Sequence, residues 1–235
     1  MTSHYPRPEL LAETDWLAER LDDPAIRIVD CDEFAAYQRL HIPAAVGLKV
    51  HHYLKGPQED SHHIMPPEMF ERVMSEHGIS NEHLVVAYDG SGGLYAARLW
   101  WALDHYGHTN CKLLNGGFHK WFNEGRPVTR DQPHVEPAPF RAQPGSDCLC
   151  MLDEVRDAIG RPDVVIWDVR SRAEHTGYDL RRNRRGGHIP GAVYMEWLDM
   201  TVRPPERSGL LLPADDIRRR LEAVGITPEK QVLTH

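Results

Sequence analysis

What this chain has little of narrows its class before any motif is read. No apolar run approaches the roughly 20 residues that a membrane-spanning helix needs. The opening residues, MTSHYPRPEL, have neither the basic start nor the apolar core of a secretion signal. There is no basic excess: 27 Lys and Arg against 35 Asp and Glu leave a formal net charge of -8. That balance disfavours a nucleic acid or an anionic membrane as partner, since both require a basic face. Cysteine is scarce. The four, Cys31, Cys111, Cys148 and Cys150, include no pair with the two-residue separation of a redox or zinc hook. Cys148 and Cys150 stand too close for an easy intrachain disulfide. Cys31 and Cys111 each touch an expected strand and read as small buried thiols of a reducing compartment, so a cytoplasmic location is expected.

Metal and phosphate signatures are missing as well. The 15 histidines include the doublets His51-His52 and His62-His63, but no HExxH or cysteine-paired spacing accompanies them, so the doublets read as surface loop and no metal is expected. The stretch Leu84 to Ala97, LVVAYDGSGGLYAA, reads as a buried strand, a glycine loop and a helix start, a junction that aims free backbone N–H groups at an anion. It lacks the lysine-serine/threonine ending of a P-loop and the spacing of a dinucleotide site.

Along the first half, apolar spacing predicts helices from Thr14 or Asp15 to about Leu21, Glu33 to Leu40, Met69 to His77, Leu94 to Tyr106 and Phe118 to Asn123. Strands are expected at Ile26 to Asp30, near Val46, at Leu84 to Tyr88 and at Cys111 to Leu114. Strands alternating with helices predict a parallel sheet covered on both faces. In the helix after the glycine loop, Leu94, Ala97, Trp101 and Leu103 to Tyr106 are expected to face the sheet. Trp100-Trp101 and Trp121-Phe122 read as packing residues. Residues 126–146 hold five prolines and little periodicity and read as a linker.

After that stretch the pattern restarts. His41-Ile-Pro-Ala-Ala-Val46 returns as His188-Ile-Pro-Gly-Ala-Val193, and His41, Pro66, Gly78 and Val85 map onto His188, Pro213, Gly225 and Val232 at one offset of 147 residues. Upstream the offset is 138, Asp30 to Asp168, so the second copy carries nine extra residues within Gly177 to Gly187. A repeat of this length means two copies of one domain and not a solenoid. The expected domains are 1–125 and 147–235, joined by 126–146.

Asp168-Val-Arg170 at a strand end, Gly187-His-Ile-Pro-Gly-Ala192, Tyr88-Asp-Gly-Ser-Gly-Gly93 and Leu114-Asn-Gly-Gly-Phe118 resemble the tandem rhodanese-type sulfurtransferases, the family of thiosulfate and 3-mercaptopyruvate sulfurtransferases. The resemblance covers nearly the whole chain. It implies an α/β protein of two rhodanese-like domains, each a parallel sheet with helices on both faces, the second copy being incomplete in this chain. It also implies a silent first copy and a reacting cysteine in the second, just after the strand that leads into the loop. Asp89 holds that place in copy one, and a carboxylate cannot carry sulfur. The 147-residue offset carries Asp89 to the position directly after His235. No catalytic residue is therefore expected among the residues of this chain. The polypeptide is expected to continue past His235 with the cysteine, then through the helices and strand that complete a copy.

The resemblance further implies sulfane sulfur transfer, from thiosulfate or 3-mercaptopyruvate to a thiol or cyanide, through a cysteine persulfide. A small anionic donor is the expected partner, and neither cofactor nor metal is implied. Substrate arginines precede the Gly-His-Ile motif in the family, which points to Arg181 or Arg185 within the cluster Arg181, Arg182, Arg184 and Arg185. Asp168, Arg170, Glu174 and His188 are expected to be structural, tying the strand end to the following helix. The alternative reading is a catalytically inactive rhodanese-like binding or regulatory module.

Overall fold

The computed structural model describes residues 5–50, 54, 64–145, 148–202 and 209–235. His51-His52, His62-His63 and most of the loop expected between His51 and Pro67 lie outside the described residues. The chain forms two compact units, one built on Arg7–Cys148 and the other on residues 149–202 and 211–235 together with Tyr5 and Pro6. Tyr5, expected in the first domain, donates its hydroxyl to the Leu212 carbonyl at 2.8 Å.

The first unit holds an all-parallel sheet of β1 (Leu11–Ala12), β2 (Ile26–Asp30), β3 (Val46–Gly47), β4 (Leu84–Tyr88) and β5 (Cys111–Leu114), ordered β1-β5-β4-β2-β3. Both faces are covered, because side chains of a strand alternate sides and both sets here are apolar. Val85 and Ala87 of β4 join Val29 under α3 (Pro67–Glu76) and α4 (Leu94–His105). Val86 and Tyr88 join Ile26 and Ile28 under α1 (Thr14–Ala18) and α5 (Gly117–Asn123), where Trp121 is fully buried. Each large apolar side chain taken out of water this way contributes roughly 1.5–3 kcal/mol. The helix α2 (Phe34–Arg39) leads from β2 toward β3.

Helix α4 keeps the second half of the expected stripe, with Leu103 and Tyr106 buried and Trp101 packed on the core, but differs in its first turn. Ala96, Leu99, Ala102, Leu103 and Tyr106 are buried, whereas Leu94 is 45% exposed and Ala97 is exposed. The helix starts from Gly93, left-handed at φ 92, and that entry fixes the rotation. A run so rich in apolar residues offers more than one plausible stripe.

Residues 126–145 contain neither helix nor a named strand, as their prolines require, yet they are not a free tether. They strap the first unit. His41 and Thr129 exchange backbone hydrogen bonds at 3.0 and 2.9 Å. Phe140 is buried edge-on against Phe70, the Ala138 N–H reaches the Ser75 carbonyl, and the Gln143 N–H reaches that of Tyr106. Proline removes donors that a ladder would need, while Val135 and Phe140 still find apolar surface.

The second unit repeats the central part of the first. Its strands β6 (Val164–Asp168), β7 (Val193–Tyr194) and β8 (Gln231–Thr234) form a parallel sheet ordered β7-β6-β8, matching β3-β2-β4. The register is the same: Ile26 pairs with Leu84, and Val164 with Gln231. Its helices are α6 (Leu152–Ala158), α7 (Arg172–His175) and α8 (Ala214–Ala223), the last lying 147 residues beyond α3 at both ends. The nine extra residues leave this frame undisturbed because the insertion is pinched at its base. A Cβ on Gly177 would come within 2.8 Å of the Gly187 nitrogen, and one on Gly186 within 2.7 Å of Gly177 Cα.

Candidate functional site

The glycine loop of the first unit is an occupied anion cradle. Asp89, almost wholly buried, follows β4, and its carboxylate accepts four backbone N–H groups, from Ser91 (2.8 Å), Gly93 (2.7 Å), Tyr95 (2.8 Å) and Ala96 (2.8 Å). Gly92 and Gly93 adopt left-handed φ of 80 and 92, which turns these N–H groups inward. Gly117 closes the loop from β5: a Cβ there would come within 2.3 Å of the Asp89 carbonyl. The cradle is therefore filled by one carboxylate, which in this copy is covalently attached.

Acidic groups line the neighbouring cavity, which has a volume of about 500 Å³ and includes Asp30, Asp32, Glu33, Gly90 and His119. Asp32 accepts from the Gly90 N–H at 2.5 Å and the Ser91 hydroxyl at 3.1 Å. Asp30, 2% exposed at the end of β2, has no cation beside it among the described residues; burial pushes its carboxyl up to about 7, with Asp32 and Asp89 adding repulsion. Its hydrogen bond from the Asp32 N–H (2.9 Å) only partly offsets that.

The equivalent strand end of the second unit is arranged the other way. Asp168, 0% exposed, accepts from the Arg170 N–H (3.1 Å), Nε (2.9 Å) and a terminal guanidinium nitrogen (2.7 Å), and from His175 Nδ1 (2.9 Å). Burial alone would raise its carboxyl, but the bonds from Arg170 and His175 outweigh burial and hold it well below the usual range. Arg170 also donates to the Gly187 carbonyl at 2.9 Å, tying the strand end to the insertion's base. His188 Nδ1 donates to the His175 carbonyl (2.9 Å), and the two rings stack at 3.9 Å. Glu174 and Ser171 form a reciprocal cap on α7, with Ser171 Oγ donating to Glu174 at 2.7 Å.

Asp168, Arg170, Glu174 and His188 thus meet around one turn. The candidate substrate arginines do not share a single environment. Arg181, at φ 48, is paired with Glu174 and Asp179, both at 3.3 Å, whereas Arg182, Arg184 and Arg185 are exposed on the insertion. The thiols of Cys31 and Cys111 are buried and pushed up by burial. Among the described residues no three His, Cys, Asp or Glu side chains gather as a metal site.

At this strand end His175 carries no sequence motif and escapes residue-by-residue reading, whereas His235 closes the lead-in Val232-Leu-Thr-His235. The repeat offsets point to both, since His175 falls on Tyr37 and His235 on Tyr88. His235 leaves β8 with its Nε2 buried and without a hydrogen bond, 3.6 Å from an Asp168 oxygen.

The family model described as the rhodanese-like domain matches residues 13–124 and 151–235, one segment in each unit. The chain belongs to the rhodanese-like family. Among its rhodanese relatives, the thiosulfate sulfurtransferase of Azotobacter vinelandii is 35% identical, over 96% of this chain and 82% of its own length. The sulfur carrier protein TtuD of Thermus thermophilus is 32% identical, over 98% of this chain and 83% of its own. The crystal structure of SseA from Escherichia coli, a study of 3-mercaptopyruvate sulfotransferases, superposes on this chain with a TM-score of 0.84 at 26% identity, covering 96% of this chain and 87% of that one.

Proposed function

We propose that this protein is a sulfurtransferase that moves sulfane sulfur from a small anionic donor, thiosulfate or 3-mercaptopyruvate, to a thiol or to cyanide. A persulfide on a cysteine directly following His235 carries the sulfur. The observation that supports this most directly is the shared register of β4 and β8, because residue 89 of the first unit sits in a cradle of four N–H groups and the position after His235 is its repeat equivalent. A cradle that satisfies a carboxylate in one copy suits a thiolate, and then a persulfide, in the other. The Azotobacter relative, named a thiosulfate sulfurtransferase, agrees with this chemistry.

With thiosulfate the thiolate attacks the outer sulfur, an S–S bond to the cysteine forms, and the bond to the sulfite sulfur breaks with its electron pair, releasing sulfite. Cyanide or a thiolate then attacks the outer sulfur of the persulfide, and the cysteine leaves as thiolate. With 3-mercaptopyruvate the bond broken is C–S, and the carbon leaves as the enolate that takes up the thiol's proton to give pyruvate. Arg185, with Arg182 and Arg184, is the cationic face offered to the donor's carboxylate or sulfonate-like oxygens, and Arg181 braces the loop through Glu174.

The test is thiocyanate release by the full-length protein given donor and cyanide, with the mass gain of one sulfur mapped to the residue after His235. Arg182, Arg184 and Arg185 changed together to alanine should raise KM for the donor about tenfold, leaving kcat nearly unchanged. Absence of both thiocyanate and the added sulfur would leave the binding-module reading instead.

A further inference from the structure

Three histidines of the first unit have ring nitrogens whose roles follow from their partners. A nitrogen that faces a carbonyl oxygen must carry a proton, and one that faces an N–H must not. His83 accepts the Ser80 N–H through Nδ1 at 2.9 Å, so that nitrogen is bare. His77 donates through Nδ1 to the Val73 carbonyl at 2.7 Å, a bond that a neutral ring already makes. His41 differs from both. Its Nδ1 lies 2.8 Å from the Tyr37 carbonyl and its Nε2 lies 3.2 Å from the Asp131 carbonyl. Two carbonyls call for two N–H donors, and only the imidazolium has both.

Each acceptor belongs to a different segment. Tyr37 stands in the last turn of α2, where helix carbonyls find no partner within the helix. Asp131 stands in the strap, two residues past Thr129, whose backbone pairs with that of His41. The Asp131 N–H donates to Thr129 Oγ1 at 3.0 Å and fixes this turn of the strap. His41 itself is 0% exposed, so water does not solvate the ring. Burial works against a charge there, while the two carbonyls and an aromatic face work for it. Tyr37 stacks on the ring at 4.0 Å, and its hydroxyl is anchored on the Ala45 carbonyl at 3.0 Å.

The other titratable groups on the segments around the ring are few. Burial holds the phenols of Tyr37, pushed up to about 12, and of Tyr88 neutral. Arg130 donates its Nε to the Arg39 carbonyl at 3.1 Å, a second tie between α2 and the strap that keeps its proton at any ordinary pH. The Asp131 carboxyl ionises well below neutrality in the ordinary way and Asp30, pushed up to about 7, ionises across it; both negative charges favour a proton on the ring.

We propose that His41 is a proton-operated latch: with both N–H protons it ties the end of α2 to the strap, and with one it gives up a carbonyl and loosens the strap. The only bond broken is N–H, and the proton goes to solvent. A proton is bound more tightly with both carbonyls in place than with the strap lifted, so by reciprocity the strap is held more tightly with the proton bound. Seating is therefore strongest at low pH and weakens as pH rises and the proton is lost.

The test is hydrogen exchange at the Thr129 amide, which donates to the His41 carbonyl at 2.9 Å, followed from about pH 5 to about pH 8. The full-length protein carries D30N, which removes the carboxyl that ionises in the same range. With the intrinsic pH dependence of exchange divided out, Thr129 protection should fall about tenfold, the worth of one hydrogen bond from a charged group. The Gln143 amide, bonded to the Tyr106 carbonyl farther along the strap, should hold its protection. In H41N, whose side chain does not titrate, the Thr129 profile should be level. A level profile with His41 in place, or a parallel fall at Gln143, overturns the inference. A measurement on the wild-type protein guards against a misfolded variant: the NMR shifts of the His41 ring nitrogens at about pH 5 should report two N–H groups, and a neutral ring there overturns the inference as well.

Discussion

Asp30 and Asp168 end equivalent strands, are equally buried, and sit in opposite electrostatic states. The first is held toward its neutral form by burial without a cation, and the second is kept ionised by Arg170 and His175. One backbone frame, repeated at the same register, therefore tolerates either sign. The difference lies in three side chains, at positions 32, 37 and 88 in one copy and 170, 175 and 235 in the other. What distinguishes the two copies reaches beyond the residue in the loop to the charges behind it.

The comparison breaks most visibly at Asp168. Asp168→Ala should cost about 3–5 kcal/mol in urea unfolding of the second unit, because it leaves Arg170 half-buried and unpaired. Equal costs for Asp168→Ala and Asp30→Ala would erase the contrast. Asp89→Ala should cost on the order of 3 kcal/mol in the first unit, since several buried N–H groups lose their acceptor, and Asp89→Asn should recover part of the loss.

Asp30→Asn runs the other way. With its folded carboxyl at about 7 against about 3.9 in the unfolded chain, Asp30 binds more protons folded than unfolded between those values, so its contribution to stability falls as pH rises through them. The asparagine variant should be more stable than wild type by on the order of 2 kcal/mol at pH 8, with no difference near pH 4. Asp168 has the opposite sign: its depressed folded carboxyl contributes stability above the unfolded value of about 3.9 that is lost as pH falls below it. A calorimetric pH series separates the two. The smallest effect is at the helix after each strand: Ser171→Ala should cost about 1 kcal/mol, whereas Glu33→Ala should cost at most about 0.5 kcal/mol, its side chain making no cap bond and only a half-exposed ion pair with Lys49.

Much of this was readable from spacing. The recurrence of His-Ile-Pro and the constant offset carried α3 onto α8 at both ends and the first four residues of β4 onto β8, so the doubled α/β architecture needed no coordinates. An offset equates positions, however, and says nothing of contacts. It set His175 on Tyr37 but could not tell that an Nδ1 proton reaches Asp168 seven residues back, because that depends on the turn through Arg170. Only the first turn of the α4 stripe was misjudged, for a related reason: Leu94 is as apolar as Leu99, and the left-handed entry at Gly93 bears on which is buried. The strap was hidden by its prolines, which report the absence of regular structure and not the absence of packing.

That strap has a consequence for biosynthesis. Phe140 completes the cluster around Phe70 and Met74, and the Gln143 N–H closes onto the Tyr106 carbonyl. A nascent first copy therefore keeps part of its apolar face open until residue 145 has cleared the ribosome, some 20 residues after its last helix, Gly117–Asn123, has been made. Domains fold as units in order of synthesis. Here the unit's end is set by an extended tail, so translation speed across five prolines governs how long that face stays exposed.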